Sequence, residues 1–110
     1  MKKTILTGLL LLLMAQAFPR IYYVAVDGND NNSGIKEQPL ATIQKAQSLV
    51  QPGDTVYLRG GTYHVTEAQI ARNERVYACV TFLDKSGAAG KYIHYINYPR
   101  ETPVFDYSDV

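Results

Sequence analysis

Cross-linking chemistry is almost missing: Cys79 is the only cysteine in 110 residues. No intrachain disulfide can form, so a disulfide-stapled scaffold is excluded, and the thiol reads as a small packed hydrophobe. Charge of one sign is lacking too. Eleven Lys and Arg stand against ten Asp and Glu, for a formal net charge of +1. The basic residues are scattered from Arg20 to Arg100, which excludes the basic stripe of a nucleic-acid binder. Past residue 17 there is no long apolar run, so no membrane span is expected there. No cysteine closes the leading apolar stretch, so a lipid-anchored route is excluded as well.

That leading stretch is a signal for export. Lys2 and Lys3 form a basic start, residues 5–14 an apolar core, and Ala15-Gln16-Ala17 a small-x-small cleavage site. The apolar run falls short of the about 20 residues that cross a bilayer. Residues 1–17 are therefore expected to be a signal peptide cleaved after Ala17, with the product exported to the periplasm or the extracellular space. A domain as small as 18–110 hides little apolar area by itself. Its stability must come from neighbouring strands packing together.

Tyr22-Tyr23-Val24-Ala25-Val26 is rich in β-formers and is stopped by the turn-rich cluster 27–34. Pro39, Leu40, Ile43, Ala46 or Gln47, and Leu49-Val50 recur at helical spacing, which predicts a helix over 39–50 ended by Pro52-Gly53. The period then changes. Strands are predicted at 56–58, 63–65, 80–83, 92–98 and 104–107, with turns at Gly60-Gly61 and loop 86–90. Val56, Val80 and Val104 open three of them at equal spacing, in the range of solenoid repeats, while 66–79 reads as a polar insertion.

The pattern predicts an all-β fold with a short N-terminal capping helix: a right-handed parallel β-helix, truncated after two or three coils. Residues 18–54 would supply the first strand, the polar loop and the cap; residues 55–110 would supply the first coils, incomplete at the C-terminus. Each end of such a stack leaves a row of unpaired backbone groups. The helix is the expected lid at the front, and 104–110 an open edge at the back.

Tyr22-Tyr23-Val24 with Asp27-Gly28-Asn29-Asp30 and Ser33-Gly34, then Gln38-Pro39-Leu40-Ala41-Thr42-Ile43-Gln44-Lys45-Ala46, Pro52-Gly53-Asp54-Thr55-Val56 and Gly60-Gly61-Thr62-Tyr63 resemble one known pattern. It is the cap and first coil of exported parallel β-helix polysaccharide lyases, the family-nine pectate lyases and their relatives. Ser86-Gly87, Gly90, Tyr92-Ile93, Tyr98-Pro99 and Pro103-Val104-Phe105-Asp106 continue the likeness. The resemblance implies calcium-assisted β-elimination on uronic-acid polymers, with pectate-like acidic polysaccharide as the partner. Alginate or chondroitin lyases of the same fold, and non-catalytic carbohydrate-binding or surface proteins, share such coils. In the lyases the aspartate cluster that holds Ca2+ and the basic catalytic side chain lie on later coils. No catalytic residue is therefore assigned in this chain, and the chain alone is expected to be inactive.

Within the chain, Asp27, Asn29 and Asp30 are weak metal candidates, because hard cations need closely spaced oxygens. Counted from Asp27 as an EF-hand loop, the sixth position is Asn32 where glycine is needed and the twelfth is Gln38 where glutamate is needed. Asx turns explain the same composition. His64 and His94 lack ligand-spaced partners, and Arg59 and Lys85 read as turn charges, although either could bind a carboxylate or act as a base. Asp54 reads as a turn residue. Tyr57, Tyr63, Tyr92, Tyr95 and Tyr98 could form a sugar-stacking surface, but stacking within the coil is the favoured account of them. The export reading is checked by N-terminal sequencing of the secreted product, which should begin at Phe18; material retaining Met1 would overturn it.

Overall fold

The computed structural model describes residues 18–73 and 78–110; the expected signal, 1–17, lies outside them. Strands β1 (Ile21–Val24), β2 (Thr55–Leu58), β3 (Gly61–Thr66), β4 (Arg72–Asn73), β5 (Ala78–Cys79), β6 (His94–Asn97) and β7 (Pro103–Asp109) surround one short helix, α1 (Ile43–Leu49). β1, β2 and β6 form a three-stranded parallel sheet with β2 in the middle. Its register places Tyr22 opposite Val56 and Val56 opposite Tyr95. β3 and β7 form a second parallel pair, in which Tyr63 faces Phe105. Each of the two coils after β1 thus contributes one strand to each sheet. β2 turns at Arg59-Gly60 into β3, and β6 turns at 98–102 into β7, directly beneath.

Strand alternation explains what is inside. Tyr22 and Val24 of β1, Val56 and Leu58 of β2, and Tyr63 and Val65 of β3 are buried, while the residues between them face outward. Leu40, Ala46 and Val50 complete the core from the capping segment. Each fully buried valine or leucine contributes about 1.5–3 kcal/mol. Tyr63 stacks on Phe105 of the next coil with ring centroids 4.6 Å apart and planes 15° apart.

The helix is shorter than expected, and the reason is hydrogen bonding. Residues 39–41 are not its first turn; they run alongside β1. Leu40 N–H donates to Tyr23 O (2.8 Å), Ala25 N–H to Leu40 O (2.9 Å), and Tyr23 N–H to Gly34 O (2.7 Å). The outer edge of β1 is therefore sealed by the loop, whereas the expected lid was the helix alone. Thr42 is the N-cap, its hydroxyl accepting from Lys45 N–H at 3.1 Å. A helix of seven residues is marginal by itself, and a later segment braces it. The Gln44 side-chain amide exchanges two hydrogen bonds with the backbone of Phe82 (2.7 and 3.1 Å). Lys85 Nζ donates to the carbonyls of Ser48 (2.6 Å) and Val50 (3.2 Å), a cation at the negative end of the helix dipole.

The equal spacing of Val56, Val80 and Val104 does not mark equivalent positions. Val56 sits between Tyr22 and Tyr95, Val104 lies opposite Thr62 in the other sheet, and Val80 lies outside any strand. The expected strand at 80–83 is absent because Phe82 and Lys85 spend their backbone N–H groups on Gln44 and Gln47. The insertion instead makes an antiparallel ribbon, β4 with β5. Among the described residues no helix is long and apolar enough to cross a membrane.

Leu40 has no exposed surface and joins the sealed edge to the core. Leu40→Ala is expected to cost about 2–5 kcal/mol, whereas Ile35→Ala, in the same loop but half exposed, should fall within about 0.5 kcal/mol of wild type. Urea unfolding of the two variants checks this.

Candidate functional site

The outward face of the β1–β2–β6 sheet carries Ile21 and Tyr23, Thr55 and Tyr57, and His94 and Ile96, since their strand neighbours point into the core. Tyr23, Tyr57 and Ile96 occupy one row across the three strands. The Tyr23 and Tyr57 rings lie 5.7 Å apart. Tyr98, just past the end of β6, closes a triangle at 5.6 Å from Tyr57 and 6.1 Å from Tyr23. These are tilted and edge-on contacts, which the ring quadrupoles favour.

Two cations meet this triangle. The Arg59 guanidinium lies 4.4 Å from the Tyr98 ring centroid, and Lys36 Nζ lies 5.1 Å from it while donating to the Tyr98 hydroxyl at 3.0 Å. Arg59 is also forked onto Glu101, Nε to Oε1 at 2.8 Å and Nη2 to Oε2 at 2.9 Å. Glu101 Oε1 accepts from Gly60 N–H as well, at 2.8 Å. A turn places that carboxylate: Glu101 N–H donates to Tyr98 O (3.0 Å), with Pro99 second and Arg100 third at φ 65°, the left-handed position a type II turn needs.

Electrostatics follow the contacts. The hydrogen bond from Arg59, then that from Gly60, holds the Glu101 carboxyl well below its ordinary value, at about 2. The hydrogen bond to Tyr98 raises the Lys36 ammonium above its ordinary value, so it stays charged. Tyr63 is pushed up to about 12, chiefly by burial, and its hydroxyl is shared between the carbonyls of Arg59 (2.7 Å) and Val24 (3.0 Å). It is an interior brace, not a base.

The other sequence candidates disperse. Asp30 accepts from Ala41 N–H and Thr42 N–H at Oδ1 and from the Thr42 hydroxyl at Oδ2, so its carboxylate organises the helix cap. Asn29 Oδ1 accepts from Asn31 N–H, closing an Asx turn. With these oxygens turned onto the chain itself and Asp27 exposed, the loop does not present the converging donor set calcium needs. Among the described residues no three His, Cys, Asp or Glu side chains gather into a metal-holding group. Asp54 is buried in its turn and accepts from Arg20 N–H and Gln51 N–H, both at 2.8 Å. His64 pairs with Asp106 across the second sheet, Nδ1 to Oδ2 at 3.4 Å, and His94 sits edge-on to exposed Tyr92.

Of the five tyrosines considered, Tyr57 and Tyr98 belong to the outward triangle, Tyr63 and Tyr95 lie toward the core, and Tyr92 stands apart. Sequence reasoning missed Tyr23, Lys36 and Glu101. Strand alternation around Val24 could have placed Tyr23 outward with Tyr57. Nothing local marks Glu101, which meets Arg59 across 42 residues.

Parallel strands stacked coil on coil, turning through two sheets and plugged at one edge by a loop and short helix, define a parallel β-helix. The model of the Pel9A-like right-handed β-helix region matches residues 22–110, and the chain belongs to that family. It is 35% identical to pectate lyase L of Dickeya dadantii (strain 3937) over 89 residues, 81% of this chain and 20% of that protein. Among solved structures it resembles a rhamnogalacturonan lyase (TM-score 0.76, 40% identity, 83% of this chain and 22% of that one) and pectate lyase Pel9A (TM-score 0.61, 32% identity, 84% and 22%). The chain thus spans about a fifth of the length of each of these three proteins.

The corner ion pair makes a pH prediction. Because the Glu101 carboxyl is depressed in the folded state, its stabilisation is complete above its ordinary value of 4.5 and is lost as pH falls from there toward about 2. Glu101→Gln should lower Tm at neutral pH and flatten the fall of Tm across that window. An acid limb as steep as that of wild type, followed by circular dichroism, would show that the pair does not contribute.

Proposed function

We propose that this chain forms the cap and first coils of an exported polysaccharide lyase, one that cleaves pectate-like uronic-acid polymers by β-elimination. The observation that carries the reading is the likeness to pectate and rhamnogalacturonan lyases, which runs through both sheets and the cap. Export is supported by the basic, apolar and small-residue pattern of residues 1–17.

In β-elimination a base removes the proton on the ring carbon next to the sugar carboxylate. The released electron pair forms a carbon–carbon double bond within the ring, and the glycosidic oxygen leaves with its bonding pair and takes up a proton. Cations offset the negative charge that develops on the carboxylate. Calcium would supply that charge in the whole protein. Asp27, Asn29 and Asp30 do not fit it, and no step is assigned to this chain's residues. The role of the chain in this reading is to plug the stack and carry the sheets on which a cleft can be built.

Assaying the full-length gene product on pectate, rhamnogalacturonan, alginate and chondroitin, with calcium supplied, tests the reading. Unsaturated uronide products, seen by ultraviolet absorbance, are expected on pectate and not from residues 18–110 alone. A product from alginate or chondroitin only would move the substrate class. Silence on all four would favour a binding or surface role and overturn the lyase reading.

A further inference from the structure

We propose that the outward face of the β1–β2–β6 sheet anchors an anionic glycan, with Tyr23 and Tyr57 packing against a pyranose ring and Lys36 pairing with its carboxylate. The inference rests on the proposed function for its substrate class, and adds a binding site on the chain's own residues.

The composition of the face points to a partner. A sheet with one side in water ordinarily sets polar residues outward. Here Ile21 and Ile96 are 51% and 43% exposed, and they flank the half-buried Tyr23 and Tyr57. A contiguous aromatic and aliphatic patch of this kind, rimmed by polar groups, marks an interaction surface. Tyrosine rings offer broad contact area at little cost in conformational freedom, having only two side-chain torsions. The two rings are neighbours along the row, 5.7 Å between centroids and tilted 32° to each other, and together offer apolar contact area to the C–H face of a sugar.

Charge selects the occupant. Arg59 is neutralised by its fork onto Glu101 and covers Tyr98. Lys36 differs, because its hydrogen-bond acceptor is the neutral hydroxyl of Tyr98. Lys36 is exposed, and its ammonium remains protonated. The row of rings therefore ends in an uncancelled positive charge, and an anionic sugar matches both features at once. A neutral glycan would use only the rings, and a small anion only the lysine. The Arg59–Glu101 fork and the Tyr98 turn hold the rim in place before any ligand arrives, which lowers the cost of binding.

The test is calorimetric titration of the full-length protein with oligogalacturonate under conditions without turnover, alongside the same oligomer methyl-esterified to remove its charge. Lys36→Gln is expected to weaken binding of the charged oligomer about threefold, as fits one exposed charge pair, and to reduce its salt dependence. Binding of the esterified oligomer should not change with Lys36→Gln. Tyr57→Leu should weaken both oligomers on the order of tenfold, while Tyr57→Phe, which keeps the ring, should bind as wild type. Unchanged affinity in both Lys36→Gln and Tyr57→Leu overturns the site. So does equal loss in Tyr57→Phe and Tyr57→Leu. Lys36 is exposed, so its variant tests the site even if Tyr57→Leu fails to fold. Binding that responds to the variants while every lyase assay stays silent upholds this site and overturns only the lyase reading; cleavage with variant-insensitive affinity does the reverse.

Discussion

A parallel stack must end somewhere, and the last strand exposes backbone donors and acceptors that would pair with any strand offered to them. At β1 this edge is closed by the chain itself. The 27–34 loop folds back so that Gly34 and Leu40 take the hydrogen bonds of Tyr23 and Ala25. The backbones approach so closely that a Cβ on Gly28 would collide with the carbonyl of Leu40. From that single arrangement follow the burial of the Leu40 side chain and the direction in which the helix departs. Asp30, reaching across the same loop, holds Ala41 and Thr42, the two residues that lead into the helix. Edge closure, core and cap are one unit, and the coils that follow register on it.

The corners show a second, weaker version of the same logic. Gly60 and Glu101 lie above one another, and the Glu101 carboxylate ties the Gly60 amide to the Arg59 guanidinium. Asp54 does the equivalent at the start of β2, joining its own turn to the residue ahead of β1. Asp30, Asp54 and Glu101 all accept backbone N–H groups. In this part of the solenoid they serve as fasteners for turns, and among the described residues no metal-holding cluster of His, Cys, Asp or Glu gathers.

Scaffold and surface are therefore built from the two sides of the same strands. Inward side chains lock coil to coil through Val56 and through the Tyr63–Phe105 stack. Outward, Tyr23 and Tyr57 also meet coil to coil, and with Ile21 and Ile96 they are aromatic and aliphatic where solvent would favour polar residues. The glycan site proposed above would give that departure a physical meaning, because tilted tyrosine rings with a cation at their end complement an acidic sugar.

Much of this was legible in the sequence. Strand alternation at 22–24, 56–58 and 63–65, the turns at Pro52-Gly53 and Gly60-Gly61, and the resemblance carried by those segments determined a parallel β-helix with an N-terminal cap, because local periodicity and turn chemistry are properties of adjacent residues. The equal spacing of Val56, Val80 and Val104 misled, because register is decided by which backbones meet, and the Phe82 segment met a helix side chain before it could meet a strand. Which tyrosines face outward together, that Glu101 belongs to Arg59, and that Lys36 reaches Tyr98 were decided only by tertiary structure. Those contacts join residues a full coil or more apart in the chain, and no local pattern encodes a distance that only the stacked coils create.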